Sequence, residues 1–189
     1  MAFVVSILLV AFFLLMNAFF VVAEFSLVRV RKSQIDILLE EGARGAKRAK
    51  EISENVNAYL SACQLGITLA SLAIGWLGEP AVSSVIHEPL AALGLPDAAV
   101  SAIAVAIGFI IITALHVILG ELVPKSMAIL NTERYALFSA TPLYWFYRIT
   151  YPIMWLFNST TNGIMRLTGH DTASEHQAVS YTHLRAHET

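Results

Sequence analysis

The chain has 189 residues, of which 57% are hydrophobic and 14% charged, with a formal net charge of -2. So little charge places it outside the usual range of soluble globular proteins, and the lack of a basic excess excludes a nucleic-acid partner. A single cysteine, Cys63, excludes an internal disulfide framework and a cysteine-rich zinc site; it reads as a small apolar helix residue.

Ala2 to Ala23 carries no charged residue. At 1.5 Å per residue the run covers roughly 33 Å, enough to cross a bilayer core. A signal peptide would want a basic start and a shorter apolar core, so a retained membrane helix over about 2–23 is expected. Residues 29–54 reverse the character. Arg29, Arg31, Lys32, Arg44, Lys47, Arg48 and Lys50 are more than half of the chain's basic residues. Ile35, Leu38 and Leu39 give a helical apolar stripe, with Gly42 or Gly45 as a break. This predicts an amphipathic segment on or just below the membrane surface, against the alternative of a solvated connection.

A second uncharged run covers about 58–78. The stretch "GEPAVSSVIHEPLAALGLPDA" follows, with three prolines, three acids and no Lys or Arg, and reads as a loop over 78–98. The third apolar span covers about 98–121, interrupted by His116. The opposite Lys/Arg content of the two connections puts 29–54 in the cytoplasm and 78–98 outside. The amino terminus is then outside and the carboxyl terminus cytoplasmic, in an inner membrane. Residues 134–166 are apolar and aromatic but contain Pro142, Arg148 and Pro152. Proline removes a helix hydrogen bond that lipid does not replace, so a helical belt at the interface is preferred to a fourth span. Residues 1–168 thus form one transmembrane domain. Residues 169–189 read as a disordered polar tail, and "YTHLRAHET" (181–189) as vector-derived.

Ionisable and amide groups within spanning helices are costly and by default mark a functional path. The first span holds Asn17 and Glu24, seven apart on one face. In the second, Ser61, Gln64, Thr68 and Ser71 follow a 3-4-3 spacing along one stripe. The third supplies Thr113, His116, Gly120 and Glu121. Each has a plainer reading. The hydroxyl stripe with Ala62, Gly66 and Ala70 can be close helix packing; Glu24 and Glu121 can be interface charges; His116 can be a hydrogen-bonded interior histidine. Taken together, hard oxygen donors suit Mg²⁺ or another hard cation rather than zinc or copper. Pro124 lacks the N–H that would bond the Gly120 carbonyl, leaving that oxygen available. There is no HExxH, Gly-x-Ser-x-Gly or phosphate-binding glycine loop, so no enzyme is expected.

The motifs "NAFFVVAEFSLVRVRKSQI" (17–35), "AYLSACQLGITLASLAIGWLGEPAV" (58–82) and "GELVPKSMAI" (120–129) resemble the transmembrane domain of the CorC/cyclin-M family of magnesium transporters. The resemblance covers about residues 1–168. It implies an all-α membrane fold of three transmembrane helices plus juxtamembrane helices, and a homodimer. It further implies a dehydrated Mg²⁺ site between the helices and Na⁺-coupled Mg²⁺ export. Cytoplasmic nucleotide-binding domains are expected downstream in the full-length protein. The family motif falls on Gly120, Glu121, Pro124 and Lys125, the polar second-span positions on Thr68 and Ser71, and the first-span motif on Asn17, Phe19, Phe20 and Glu24. Relatives often have serine where this chain has Val21 or Ala23, so ligation from that turn falls to backbone carbonyls. The expected metal ligands are Glu121, Gly120, Thr68, Ser71, Asn17 and Glu24. The competing function is a membrane anchor that senses Mg²⁺ without moving it.

Overall fold

The computed structural model describes residues 2–168, and among them every regular element is a helix. Helix α1 (Ala2–Arg29) is followed by the short α2 (Lys32–Glu40) and α3 (Ala46–Glu54), then by α4 (Val56–Ala91) and α5 (Asp97–Leu115). A π-helical segment (His116–Leu122) leads into α6 (Val123–Leu130), and α7 (Thr132–Leu167) completes the described chain. Among the described residues three stretches are long and apolar enough to cross a membrane: Phe3–Arg29, Val56–Ala91 and Asp97–Leu130. The chain is an all-α membrane protein with three such helices, as its uncharged runs predict. Residues up to Arg148 form one compact unit, and those from Ile149 onward a second.

No glycine or proline interrupts α1, and apolar residues surround it on all sides, so lipid rather than a single protein face satisfies it. Helices α2 and α3 differ. Each is short and turns a few apolar residues inward: Ile35 from α2, and Ala46, Ala49 and Ile52 from α3. The turn between them uses Gly42 and Gly45, both at positive φ. Gly45 is doubly constrained, because a Cβ there would collide with the Leu137 carbonyl oxygen. Lys50 Nζ meets Asp36 Oδ1 at 2.6 Å and ties the two helices together; this hydrogen bond raises the Lys50 pKa above its ordinary value.

Phe20, Leu27, Ile35, Ile52, Tyr59, Cys63, Leu143 and Tyr144 belong to one buried cluster that joins α1 through α4 to the first half of α7. Aromatic pairs stitch it: Phe20 with Phe146 and Tyr59 with Tyr147, each at 4.6 Å between ring centroids. Arg48 stacks over Tyr144 at 3.9 Å while its guanidinium holds Glu51 at 2.7 Å. This anchors the amphipathic pair beneath the spanning helices.

The sequence reading of a loop over 78–98 differs from the fold. Helix α4 runs on through Pro80 and Pro89 to Ala91, and the connection shrinks to the residues around Gly94. The reason lies in α5. Gly78 is packed against the Ile112 side chain, and a Cβ on Gly108 would lie 3.1 Å from the Ser83 backbone nitrogen. Close packing on both sides of Pro80 holds the helix together where local bonding alone would let it end. With 36 residues, α4 is about 54 Å long and exceeds the hydrocarbon thickness of about 30 Å.

Pro142 and Pro152 lie within α7 without ending it. As far as it is described, the second unit is the later part of that helix, with Tyr151, Trp155 and Phe157 exposed. The tail at 169–189, including 181–189, lies outside the described residues.

Candidate functional site

The third apolar stretch changes helical register where its polar residues begin. The Val123 N–H bonds to the Ile118 carbonyl, five residues back, as in a π turn. Pro124 supplies the cause. Its ring would press on the carbonyl of Gly120 in a regular helix, and it has no N–H to offer that oxygen. The widened turn accommodates both problems. Gly120 is fully packed: a Cβ there would sit 2.9 Å from Asn17 Nδ2 and 2.9 Å from His116 Cδ2.

Asn17 takes up the stranded oxygen. It is fully buried on α1, and its Nδ2 donates to the Gly120 carbonyl at 3.0 Å. Its Oδ1 accepts from the Ser71 hydroxyl at 3.3 Å. That hydroxyl also lies 3.1 Å from His116 Nε2, which in turn is 3.8 Å from Glu121 Oε1. Asn17, Ser71, His116, Gly120 and Glu121 therefore form one polar chain contributed by α1, α4 and the π segment. The His116 ring is thus within hydrogen-bonding distance of one neighbour, the Ser71 hydroxyl.

Glu121 also opens onto a cleft of 260 Å³ lined by Val21, Glu24, Phe25, Ile67, Glu121, Leu122 and Lys125. Two carboxylates thus share one small space. The Lys125 ammonium rests over the Phe25 ring at 4.6 Å, and no ion pair joins it to either acid among the described residues.

Not every expected residue lies in this chain. The Thr68 hydroxyl turns back to the Gln64 carbonyl at 2.8 Å and is exposed, and Ser61 bonds back to Asn57 in the same way. Thr113 is exposed on α5. Glu24 reaches the cleft rather than the Asn17–Ser71 cluster. Sequence reasoning missed the π turn and the position of Lys125 beside both acids. The Gly-Glu-x-x-Pro-Lys spacing contained both, but only the register change makes them visible.

The rearrangement open to the cluster is simple. Asn17 bridges two oxygens, that of Gly120 as donor and that of Ser71 as acceptor. A cation seated among these groups would draw on the Asn17 amide oxygen and the Gly120 carbonyl oxygen together with the Ser71 hydroxyl and the Glu121 carboxylate. These are hard donors of the kind Mg²⁺ accepts.

Residues 8–187 match the cyclin M transmembrane N-terminal domain. Among curated proteins the chain is similar to the UPF0053 proteins YugS and YrkA of Bacillus subtilis. It is 42% identical to YugS over 90% of this chain and 40% of that protein. With YrkA it shares 39% identity over 92% of this chain and 40% of that protein. An uncharacterized protein of Mycobacterium tuberculosis, MT1889, is 37% identical over 81% of this chain and 43% of its own length. The chain thus spans about two fifths of the length of the curated relatives it matches. With the family match covering nearly its whole length, the chain belongs to the cyclin M family, as a membrane domain of that family.

Proposed function

We propose that this domain transports Mg²⁺, and that it does so by Na⁺-coupled export through alternating access. The observation that carries the reading is the convergence of oxygen donors from three helices on the π turn: Asn17, Ser71, the Gly120 carbonyl and Glu121. Mg²⁺ takes six oxygens in a tight octahedron, so this set offers about four of them and leaves room for water. Glu121 supplies the charge, and Glu24 adds a second carboxylate in the adjoining cleft. In this reading the domain is a homodimer in the inner membrane. Its amino terminus is outside, its carboxyl terminus and the α2–α3 pair are cytoplasmic, and cytoplasmic nucleotide-binding domains follow in the full-length protein. It is a transporter and not an enzyme.

Flux in liposomes tests this. Purified protein should move Mg²⁺ across the bilayer, faster when Na⁺ runs down its gradient in the opposite direction and not at all without protein. Mg²⁺ binding without flux would instead make the domain a sensing anchor. Failure to bind Mg²⁺ would remove both readings.

A further inference from the structure

The end of α1, the start of α2 and the junction of α6 with α7 enclose a polar cavity of 630 Å³. Arg29, Arg31 and Arg134 line it. Guanidinium groups stay charged at any working pH, so three positive charges face one space. The acid of the cavity, Glu133, accepts from Gln34 Nε2 at 2.6 Å on the cavity wall. The same glutamine accepts from the Arg31 backbone N–H at 3.2 Å, so it forms a fixed wall between α2 and α7. Among the described residues no ion pair joins any of the three arginines to an acid. The contrast with α3 is informative, because there Arg48 and Lys50 both hold carboxylates.

Three guanidinium groups share the cavity with a single carboxylate, so positive charge remains in excess, and an anion between them offsets their repulsion. Arginine pairs with phosphate oxygens through two parallel hydrogen bonds, which suits a phosphate better than a simple halide. The surroundings choose the source. Arg29 terminates an apolar spanning helix, and Leu130, which lines the cavity, is 79% exposed. Apolar surface next to a cationic cavity at a helix end matches the boundary between acyl chains and headgroups. We propose that this cavity binds the headgroup phosphate of an anionic membrane phospholipid. The proposal stands whether or not the domain moves Mg²⁺, and on whichever side of the membrane the cavity lies.

The test uses the detergent-purified protein with phosphatidylglycerol, phosphatidylcholine or inorganic phosphate added, read by native mass spectrometry and thermal melting. Phosphatidylglycerol should remain bound and raise Tm, and phosphatidylcholine should do neither. Arg29→Gln, Arg31→Gln and Arg134→Gln should each weaken phosphatidylglycerol binding about fivefold. Lys32→Gln and Lys47→Gln, basic residues outside the cavity, should leave it unchanged. If the lysine variants lose as much as the arginine variants, the attraction is diffuse and the site does not exist. If inorganic phosphate raises Tm as much as phosphatidylglycerol does, the occupant is soluble and the lipid assignment fails. Arg134→Lys guards against misfolding: it keeps the charge and should melt like the native protein without lipid, yet bind phosphatidylglycerol more weakly. Undiminished binding by both Arg134 variants would overturn the proposal.

Discussion

Asn17 and Gly120 are 103 positions apart, and the side chain of one completes the backbone of the other at 3.0 Å. Proline chemistry at position 124 leaves the Gly120 carbonyl without its helical donor, and a buried amide from α1 replaces it. Asn17→Leu should therefore destabilise the fold by about 1–3 kcal/mol, the range for a buried carbonyl left unpaired. Ser71→Ala should cost less, since Asn17 keeps its bond to Gly120. Thermal melting of the two variants side by side checks the order, and an equal loss would mean that the Asn17–Gly120 bond carries no special weight.

Gly120→Ala attacks the same contact from the other side. The new Cβ would sit 2.9 Å from both Asn17 Nδ2 and His116 Cδ2. Overpacking of this kind costs about 1–3 kcal/mol. The displaced Asn17 should also abolish Mg²⁺-dependent stabilisation, read as the Tm difference with and without Mg²⁺. An alanine variant that keeps the full Mg²⁺ shift would place the ion elsewhere.

Glu121→Gln keeps shape and hydrogen bonding but removes charge. Without its carboxylate a divalent ion among neutral oxygens is left poorly compensated, at about 3–5 kcal/mol for a broken buried pair. That corresponds to at least about a hundredfold loss in Mg²⁺ affinity. Liposome flux should collapse while melting without Mg²⁺ stays near that of the native protein. Thr68→Val should change flux little, because its hydroxyl is spent on the Gln64 carbonyl. Normal transport by the Gln variant would reduce Glu121 to an interface charge.

The two turn glycines separate backbone strain from packing. Both Gly42 and Gly45 have positive φ, but only Gly45 has a neighbour in the way, the Leu137 carbonyl. Gly42→Ala should cost about 1–2 kcal/mol from the left-handed conformation alone. Gly45→Ala should cost clearly more and loosen α3 from α7, seen as faster amide exchange over Ala46–Glu54. Equal losses would show that the contact with Leu137 is easily relieved.

Topology can be read with single cysteines. Cys63 is buried, so Cys63→Ala gives a silent background. Ser53, on the basic segment, is a poor reporter because it is buried and bonds to the Lys50 carbonyl. Glu54 and Ala92 are exposed, so Glu54→Cys and Ala92→Cys are the better pair. A membrane-impermeant reagent should reach Ala92→Cys from outside and Glu54→Cys only from the cytoplasmic side. Labelling of both from outside would overturn the orientation.

The spanning helices were legible because charge is so scarce that each uncharged run stands out. The residues Asn17, Ser71, Gly120 and Glu121 were legible because a polar group in an apolar helix needs a reason. The length of α4 was hidden. Pro80 and Pro89 signal a break locally, and only Gly78 and Gly108 packing against α5 shows why none occurs. Thr68 was placed correctly on the face of Ser71 by spacing, yet spacing cannot show that a threonine will satisfy its own helix instead of the site.

The π turn makes the stretch from His116 to Leu122 a gauge of chain length as well as of chemistry. It accommodates residues that a regular helix would wind differently, and everything after it inherits the offset. Deleting a single apolar residue there, such as Ile118, would remove the extra residue that the wide turn absorbs and close the segment into an ordinary helix. The Pro124 ring would then press on the Gly120 carbonyl again, although every polar side chain of the site would still be present. Within this stretch, the number of residues constrains the protein as firmly as their identity.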